Sequence, residues 1–115
     1  MKTHAQLGFC SGNSGDPIFT ENFGRGTVNS ELPPPGTTSY PLTTLPFPPD
    51  GSYIVSNSTF GNLFDWHEIE DHTPGDFNGK SLIVNAGTAS EELYRREITG
   101  LCENTAYGFS ALLIN

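Results

Sequence analysis

The side chains best suited to hold a cation lie in one acidic stretch between residues 65 and 76. Within it, Asp71 and Asp76 bracket a loop, Asp-His-Thr-Pro-Gly-Asp, that supplies two carboxylates and several main-chain carbonyls. Ca²⁺ in proteins is held by oxygen ligands of this kind. The spacing does not match an EF-hand loop, which needs acidic or amide residues at alternating positions and a closing Glu. The stretch is therefore interpreted either as an irregular calcium site or as a solvated acidic face.

Aromatic side chains form the second group with a chemical use. Trp66 and its neighbour His67, together with Tyr40, are the candidate ligand-binding residues. Aromatic rings stack on the apolar faces of sugars, so an exposed set would form a platform for a glycan. A domain of this size also needs aromatic side chains inside its core. Both interpretations stay open for the remaining aromatic residues, Tyr53, Phe64 and Tyr94.

Catalysis has weaker support in the sequence. His72 follows Asp71, which is able to orient its ring, but no serine lies in a nucleophile-elbow motif that would complete a triad. Pairs of carboxylates suited to glycoside hydrolysis exist by count alone in a chain with 13 acidic residues, so they indicate little. We expect a protein that is not an enzyme.

Cys10 and Cys102 are the only two cysteines, and no Cys-x-x-Cys spacing suggests a zinc or redox site. In an exported protein we expect both to be oxidised. They either bond each other or each pairs with a cysteine in another segment. A bond between them would close a long loop and, in the chain-entropy model, contribute roughly 4 to 5 kcal/mol.

Composition limits the class of protein. The 115 residues include 13 acidic and 5 basic ones, for a net charge of -8. This charge disfavours nucleic acid and anionic membrane surfaces as partners. No apolar run is long enough to span a bilayer, so we expect no membrane insertion. With 13 Gly, 9 Pro and 35% hydrophobic residues, the chain is typical of a small, turn-rich, all-β extracellular domain.

The elements that position these side chains are predicted to be about seven strands. The clearest are residues 52–57 and 80–86, which are apolar, β-branched and bounded by turn residues. Residues 107–114 alternate and then become fully apolar, which predicts a buried strand. Residues 91–98 fit a helix or a strand, and we favour the strand. Residues 17–23 are predicted as a short strand, and residues 60–72 as a strand or a loop.

The two ends lead to a domain assignment. Residues 1–5 are interpreted as a signal-peptide remnant or as residues added for expression, and residues 6–115 as one β-sandwich domain. The predicted strand at 107–114 needs a neighbouring strand, because its main-chain groups must be paired when buried. We therefore expect the sandwich to be incomplete in this chain. Either further residues continue it or a strand from a partner completes it.

Several segments together resemble one family. The chain resembles a domain near the N-terminus of large Bacteroidetes surface proteins that carry a C-terminal type IX secretion sorting signal of the gliding-motility-associated kind. The Asp-His-Thr segment is also similar to that of the MAM domain. The similarity covers nearly the whole chain from Cys10 on. The segments that carry it are 10–19, 23–26, 35–40, 49–53, 66–67, 71–76, 84–86 and 100–111.

The resemblance implies a jelly-roll β-sandwich, galactose-binding or MAM-like, exported across the outer membrane to the cell surface. It implies a role in adhesion or recognition, with other protein chains, further domains of the same polypeptide or an extracellular glycan as partners. In such a sandwich Glu21 is expected to join Asp71 and Asp76 around a structural Ca²⁺. Two alternatives remain: a carbohydrate-binding accessory module of a secreted polysaccharide-degrading enzyme, and a structural subunit of an extracellular filament or secretion-associated assembly.

Overall fold

The structure, a computed structural model, describes residues 16–114. The chain divides into two compact units. One unit is Glu21–Glu97; the other is assigned Met1–Thr20 and Ile98–Asn115, of which 16–20 and 98–114 are described. All regular elements lie in Glu21–Glu97, in the order β1 (Ser52–Ser56), α1 (Gly61–Phe64) and β2 (Ser81–Asn85).

The two strands pair antiparallel, with Ile54 opposite Ile83 at the centre of the register. Both contain three consecutive apolar residues, two of them β-branched, which favours extended backbone. Before β1 the chain turns at Gly51, whose φ of 77° is readily adopted only by glycine. The strands predicted at 52–57 and 80–86 are confirmed, each one or two residues shorter than expected.

The other edge of β1 is also hydrogen-bonded, although to short segments rather than to a full strand. Ser30 and Val55 exchange main-chain hydrogen bonds of 2.9 Å in both directions. The N–H of Tyr53 donates to the carbonyl of Pro41, and the N–H of Thr43 donates to the carbonyl of Tyr53. The strand therefore has main-chain partners on both sides, and all five of its residues are buried.

The core of this unit is small and is built on one face of the sheet. Tyr53 and Val55 of β1 pack with Leu32 and Tyr40, and the partly buried Leu82, Val84, Phe23 and Tyr94 surround them. The hydroxyl of Tyr53 accepts a hydrogen bond from the N–H of Leu32 at 3.2 Å, so its polar end is satisfied inside the core. Val55, at 0% exposure, lies at its centre.

Three predicted elements differ from the structure. Residues 17–23 form no strand; the extended run is interrupted at Phe23, which has a φ of 60°. Within 60–72, where strand or loop was favoured, residues 61–64 form the four-residue helix α1. Residues 91–98 form neither helix nor strand, but Arg95 makes an antiparallel bridge to Thr37 with main-chain hydrogen bonds of 2.7 and 2.8 Å.

The buried strand predicted at 107–114 does not form within the single chain. These residues form no strand, and their large apolar side chains are exposed, including Phe109 at 78% and Leu113 at 81%. A continuous apolar run indicates burial only where a neighbouring surface is present to cover it. In the described part of the chain, no main-chain pairing joins residues 108–114 to another segment.

The described chain is β-rich, with one two-stranded antiparallel sheet, four isolated bridges, almost no helix and much irregular backbone. This agrees with the all-β prediction at the level of fold class. Between residues 16 and 114, no helix has the length and apolar character that crossing a membrane requires.

The packing of Val55 predicts a measurable effect on stability. Val55→Ala removes both γ-methyl groups from a site with no solvent exposure, so we expect the free energy of unfolding to fall by about 2 kcal/mol. Val28→Ala, at a position that is 78% exposed, is the matched control and should change it by less than about 0.5 kcal/mol. Urea unfolding of both variants measures the difference, and equal effects would contradict a core centred on β1.

Candidate functional site

Asp71 and Asp76, the two predicted cation ligands, lie together against Gly79. A Cβ atom at Gly79 would overlap the carboxylates of both, so glycine is what lets the two side chains occupy this space. Gly79 also forms an antiparallel bridge with Arg25, and the flanking main-chain bonds, from Lys80 N–H to the Gly24 carbonyl and from Gly26 N–H to the Asn78 carbonyl, are 2.9 and 2.8 Å. This main-chain pairing therefore places Arg25, whose guanidinium is positively charged, near the two carboxylates.

The electrostatics of the pair are asymmetric. Partial burial raises the pKa of the Asp76 carboxyl, and the negative charge of Asp71 raises this pKa further. A side-chain hydrogen bond to Asp71 acts in the same direction, whereas Arg25 lowers the pKa. Two half-buried carboxylates this close favour a shared proton or a bound cation over two free negative charges.

The remaining carboxylate oxygens have local uses. Oδ2 of Asp71 accepts a hydrogen bond from the N–H of Thr73 at 3.2 Å, which shapes the loop. Glu21 does not join the pair: its Oε1 accepts the N–H of Phe23 at 2.8 Å. Across residues 16–114, no three His, Cys, Asp or Glu side chains converge as a metal-binding group. The chain itself therefore brings two carboxylates to this place, and further oxygen ligands for Ca²⁺ would be carbonyls and water.

A second candidate site is an aromatic surface formed by Phe47, Phe64 and Trp66. The rings of Phe64 and Trp66 are stacked, with centroids 4.4 Å apart and planes inclined by 27°. Phe47 meets Phe64 edge to face at 6.0 Å. All three side chains are half-buried, so the group packs on itself while part of each residue remains accessible to solvent.

Helix α1 and its flanks position this aromatic surface. Phe60 and Asp65, the residues on either side of α1, both have left-handed backbone, which turns the chain sharply at each end. Oε1 of Glu68 accepts the N–H of Gly61 at 2.7 Å. A Cβ at Gly61 would come within 2.6 Å of both the Trp66 carbonyl and Glu68, so this glycine allows the chain to fold back closely. The hairpin-like return places Trp66 beside Phe64.

The three predicted ligand-binding residues are therefore not brought together. Tyr40 is only 8% exposed and belongs to the core beside β1. It also lines a shallow depression of about 280 Å³ with Leu32, Gly36, Thr37, Thr38, Leu42 and Tyr53. Trp66 is half-buried and His67 is exposed next to it in the chain, with the His67 carbonyl accepting a hydrogen bond of 2.7 Å from Thr59 Oγ1.

Several residues of these sites escaped sequence reasoning. Phe47 lies among prolines that indicate only an edge strand or a loop, and Arg25 precedes Asp71 by more than forty positions. Gly79 gave a weak signal, since a glycine just before an apolar strand is a common turn residue. These contacts form because irregular segments far apart in the chain pair with each other. No periodicity in the sequence predicts such pairing.

One cysteine is seen in the structure. Cys102 is disulfide-bonded, and its N–H donates to the hydroxyl of Tyr107 at 2.8 Å. The other candidate, Cys10, lies outside the described residues. Pairing of Cys102 with Cys10 stays one of the two alternatives.

The raised pKa of Asp76 predicts a pH-dependent stability in the presence of a chelator. A raised folded-state pKa means that the folded chain binds this proton more tightly than the unfolded chain does. The contribution to stability is therefore present at low pH and is lost as pH rises through the folded-state pKa. We expect Asp76→Asn to melt at a higher temperature than the natural chain at pH 7, and the difference to vanish near about pH 3.

Glu70→Gln is the matched control, because Glu70 is exposed and the change removes one negative charge from the same acidic stretch, residues 65–76. It should shift the melting temperature less than Asp76→Asn at pH 7. Equal shifts would show that net charge alone is responsible.

Comparisons of the chain with protein-family models, with curated proteins and with solved structures give no match. The functional argument for this protein therefore depends on its own residues and their geometry. The family resemblance carried by the segments between Cys10 and Ala111 stays a prediction, and so does the function it implies.

Proposed function

We propose that this chain is a non-catalytic extracellular module of a secreted Bacteroidetes cell-surface protein and that it acts in adhesion or recognition. Its fold would be the jelly roll that the sequence resemblance implies. The antiparallel bridges at Arg25, Ser30 and Thr37 support an antiparallel β-fold, because each joins two segments distant in sequence by β-type pairing.

The observation that carries the proposal is the stacked pair of Phe64 and Trp66. Tyr40 and Tyr53 are buried in the core at 8% exposure, whereas Trp66, the only tryptophan, is half-buried and keeps part of its surface accessible. A partly accessible aromatic ring stacked on a neighbour is typical of a recognition surface, because little side-chain entropy is lost on binding. The proposal assigns this surface to ligand contact.

The chemistry around Trp66 favours a glycan as the ligand, and this supports the alternative of a carbohydrate-binding accessory module. Asp65 and His67 flank Trp66 and are exposed, so they are able to hydrogen-bond to sugar hydroxyls while the ring covers an apolar sugar face. Asp65, Glu68 and Glu70 make the neighbourhood acidic in a chain of net charge -8. Like-charge repulsion therefore favours uncharged sugars over uronic or sulfated ones.

A glycan array probed with the whole chain tests this surface. We expect binding to uncharged glycans and, for Trp66→Ala, a loss of at least about tenfold in affinity, which corresponds to ~1.4 kcal/mol. Phe77→Ala is the control, since Phe77 is 81% exposed and lies outside the aromatic surface. Binding that survives Trp66→Ala would assign recognition to another surface. An array without any bound glycan would exclude the accessory-module alternative and leave recognition of a protein.

We propose further that Asp71 and Asp76 hold a structural Ca²⁺, and their approach over Gly79 supports this. An ion that binds only the folded chain stabilises it by mass action. We therefore expect Ca²⁺ to raise the melting temperature of the natural chain above its value in chelator. The melting temperature of Asp71→Ala should be the same with Ca²⁺ and with chelator. The same melting temperature with Ca²⁺ and with chelator would exclude the site.

A further inference from the structure

The outer edge of β2 is open at its centre. In an antiparallel ladder, successive residues direct their main-chain N–H and C=O groups to opposite sides. Tyr53 and Val55 bond away from β2, so Ile54 and Ser56 direct their main-chain groups toward it, opposite Ile83 and Ser81. At the end of the ladder, the N–H of Gly51 donates to the Asn85 carbonyl. The main-chain groups of Leu82 and Val84 therefore point to the other side of β2.

The chain around Arg25 pairs with the residues just before β2 on this outer side, but the pairing does not extend along β2. The N–H of Lys80 donates to the Gly24 carbonyl, and the bridge between Arg25 and Gly79 lies beside it. The left-handed φ of Phe23 then interrupts the extended chain, and within residues 16–114 no main-chain partner reaches Leu82 or Val84. Two N–H and two C=O groups on a strand without charged side chains are thus left with no main-chain partner among the described residues.

The side chains of β2 fit a strand at the interior of a sheet rather than at its edge. Leu82 and Val84 face the core beside Val55 and Tyr53, and Ile83 lies on the opposite face next to Ile54. A strand that is apolar on both faces is typical of a position with neighbours on both sides. Natural edge strands usually carry charges or proline, which discourage pairing with another chain.

Residues 108–114 have the sequence properties of a strand that is able to pair with the open edge of β2. Phe109, Leu112, Leu113 and Ile114 are between 57% and 81% exposed, and in a strand they would place apolar side chains on both faces. From Asn104 to Asn115 the sequence contains no charged residue, and from Phe77 to Ser90 the only charged residue is Lys80. A net charge of -8 opposes self-association, but this repulsion is weak at these two segments because they carry almost no charge.

We propose that two copies of this chain associate by strand addition, with residues 108–114 of one copy pairing along the outer edge of β2 of the other. The added strand satisfies the main-chain groups of Leu82 and Val84 and covers its own apolar side chains on both faces of the sheet. Reciprocal exchange closes a two-fold dimer, and one-way exchange builds a chain of copies. This goes beyond ligand recognition and uses no residue of the aromatic surface.

Light scattering coupled to size-exclusion chromatography tests the association in the whole chain. We expect a mass above that of the monomer, which rises with concentration over roughly a hundredfold range. The double variant Phe109→Asp/Leu113→Asp should be a monomer. Val28→Asp/Leu63→Asp adds the same two charges at exposed positions, 78% and 56%, outside both uncharged segments, and should still associate.

A second variant tests the acceptor edge. Val84→Pro removes one outward N–H and leaves the hydrogen bonds to β1 in place, so it should also be a monomer, with circular dichroism showing that it folds. Mixed with Phe109→Asp/Leu113→Asp, it should form a 1:1 complex, since one variant keeps the donor strand and the other keeps the acceptor edge. A natural chain that stays monomeric, or two variants that do not complement each other, would overturn the proposal.

Discussion

The main chain of β1 is hydrogen-bonded along both edges, and this double pairing is the constraint on which the described fold depends. Ser30 and the segment around Pro41 and Thr43 occupy one edge, and β2 occupies the other. Because a buried N–H or C=O without a partner costs free energy, a strand with five buried residues requires this arrangement. The loops that bracket Leu32 and Tyr40 are consequently held against the face of β1 that carries Tyr53 and Val55.

The two candidate sites lie in irregular backbone that joins or precedes the paired strands. Glycine at 61 lets the chain fold back so that Trp66 stacks on Phe64, and glycine at 79 leaves room for the carboxylates of Asp71 and Asp76. In both places the absence of a side chain permits a close approach that a Cβ would prevent. The sites thus depend on short, tightly turned segments, anchored at their ends by the sheet.

A small core leaves much apolar surface outside it. The buried hydrophobic residues number five, whereas fourteen large hydrophobic side chains in the described chain are exposed. Scattered exposed apolar residues are ordinary, but a continuous run of them is a surface for association, and so is a sheet edge with unpaired main-chain groups. The same backbone chemistry that stabilises β1 on both sides is thus left incomplete on β2.

Sequence alone determined the features that depend on neighbouring residues. The β-branched runs with bounding turns predicted β1 and β2, and the charge and turn content predicted a β-rich chain. Proximity of Asp71 to Asp76 also followed, since a short Pro-Gly loop joins them. The tertiary structure decided what lies far apart in the chain: Arg25 beside Gly79, Phe47 against Phe64, and Tyr40 in the core. It also decided that 107–114 is exposed, because an apolar run requires burial but does not specify what covers it.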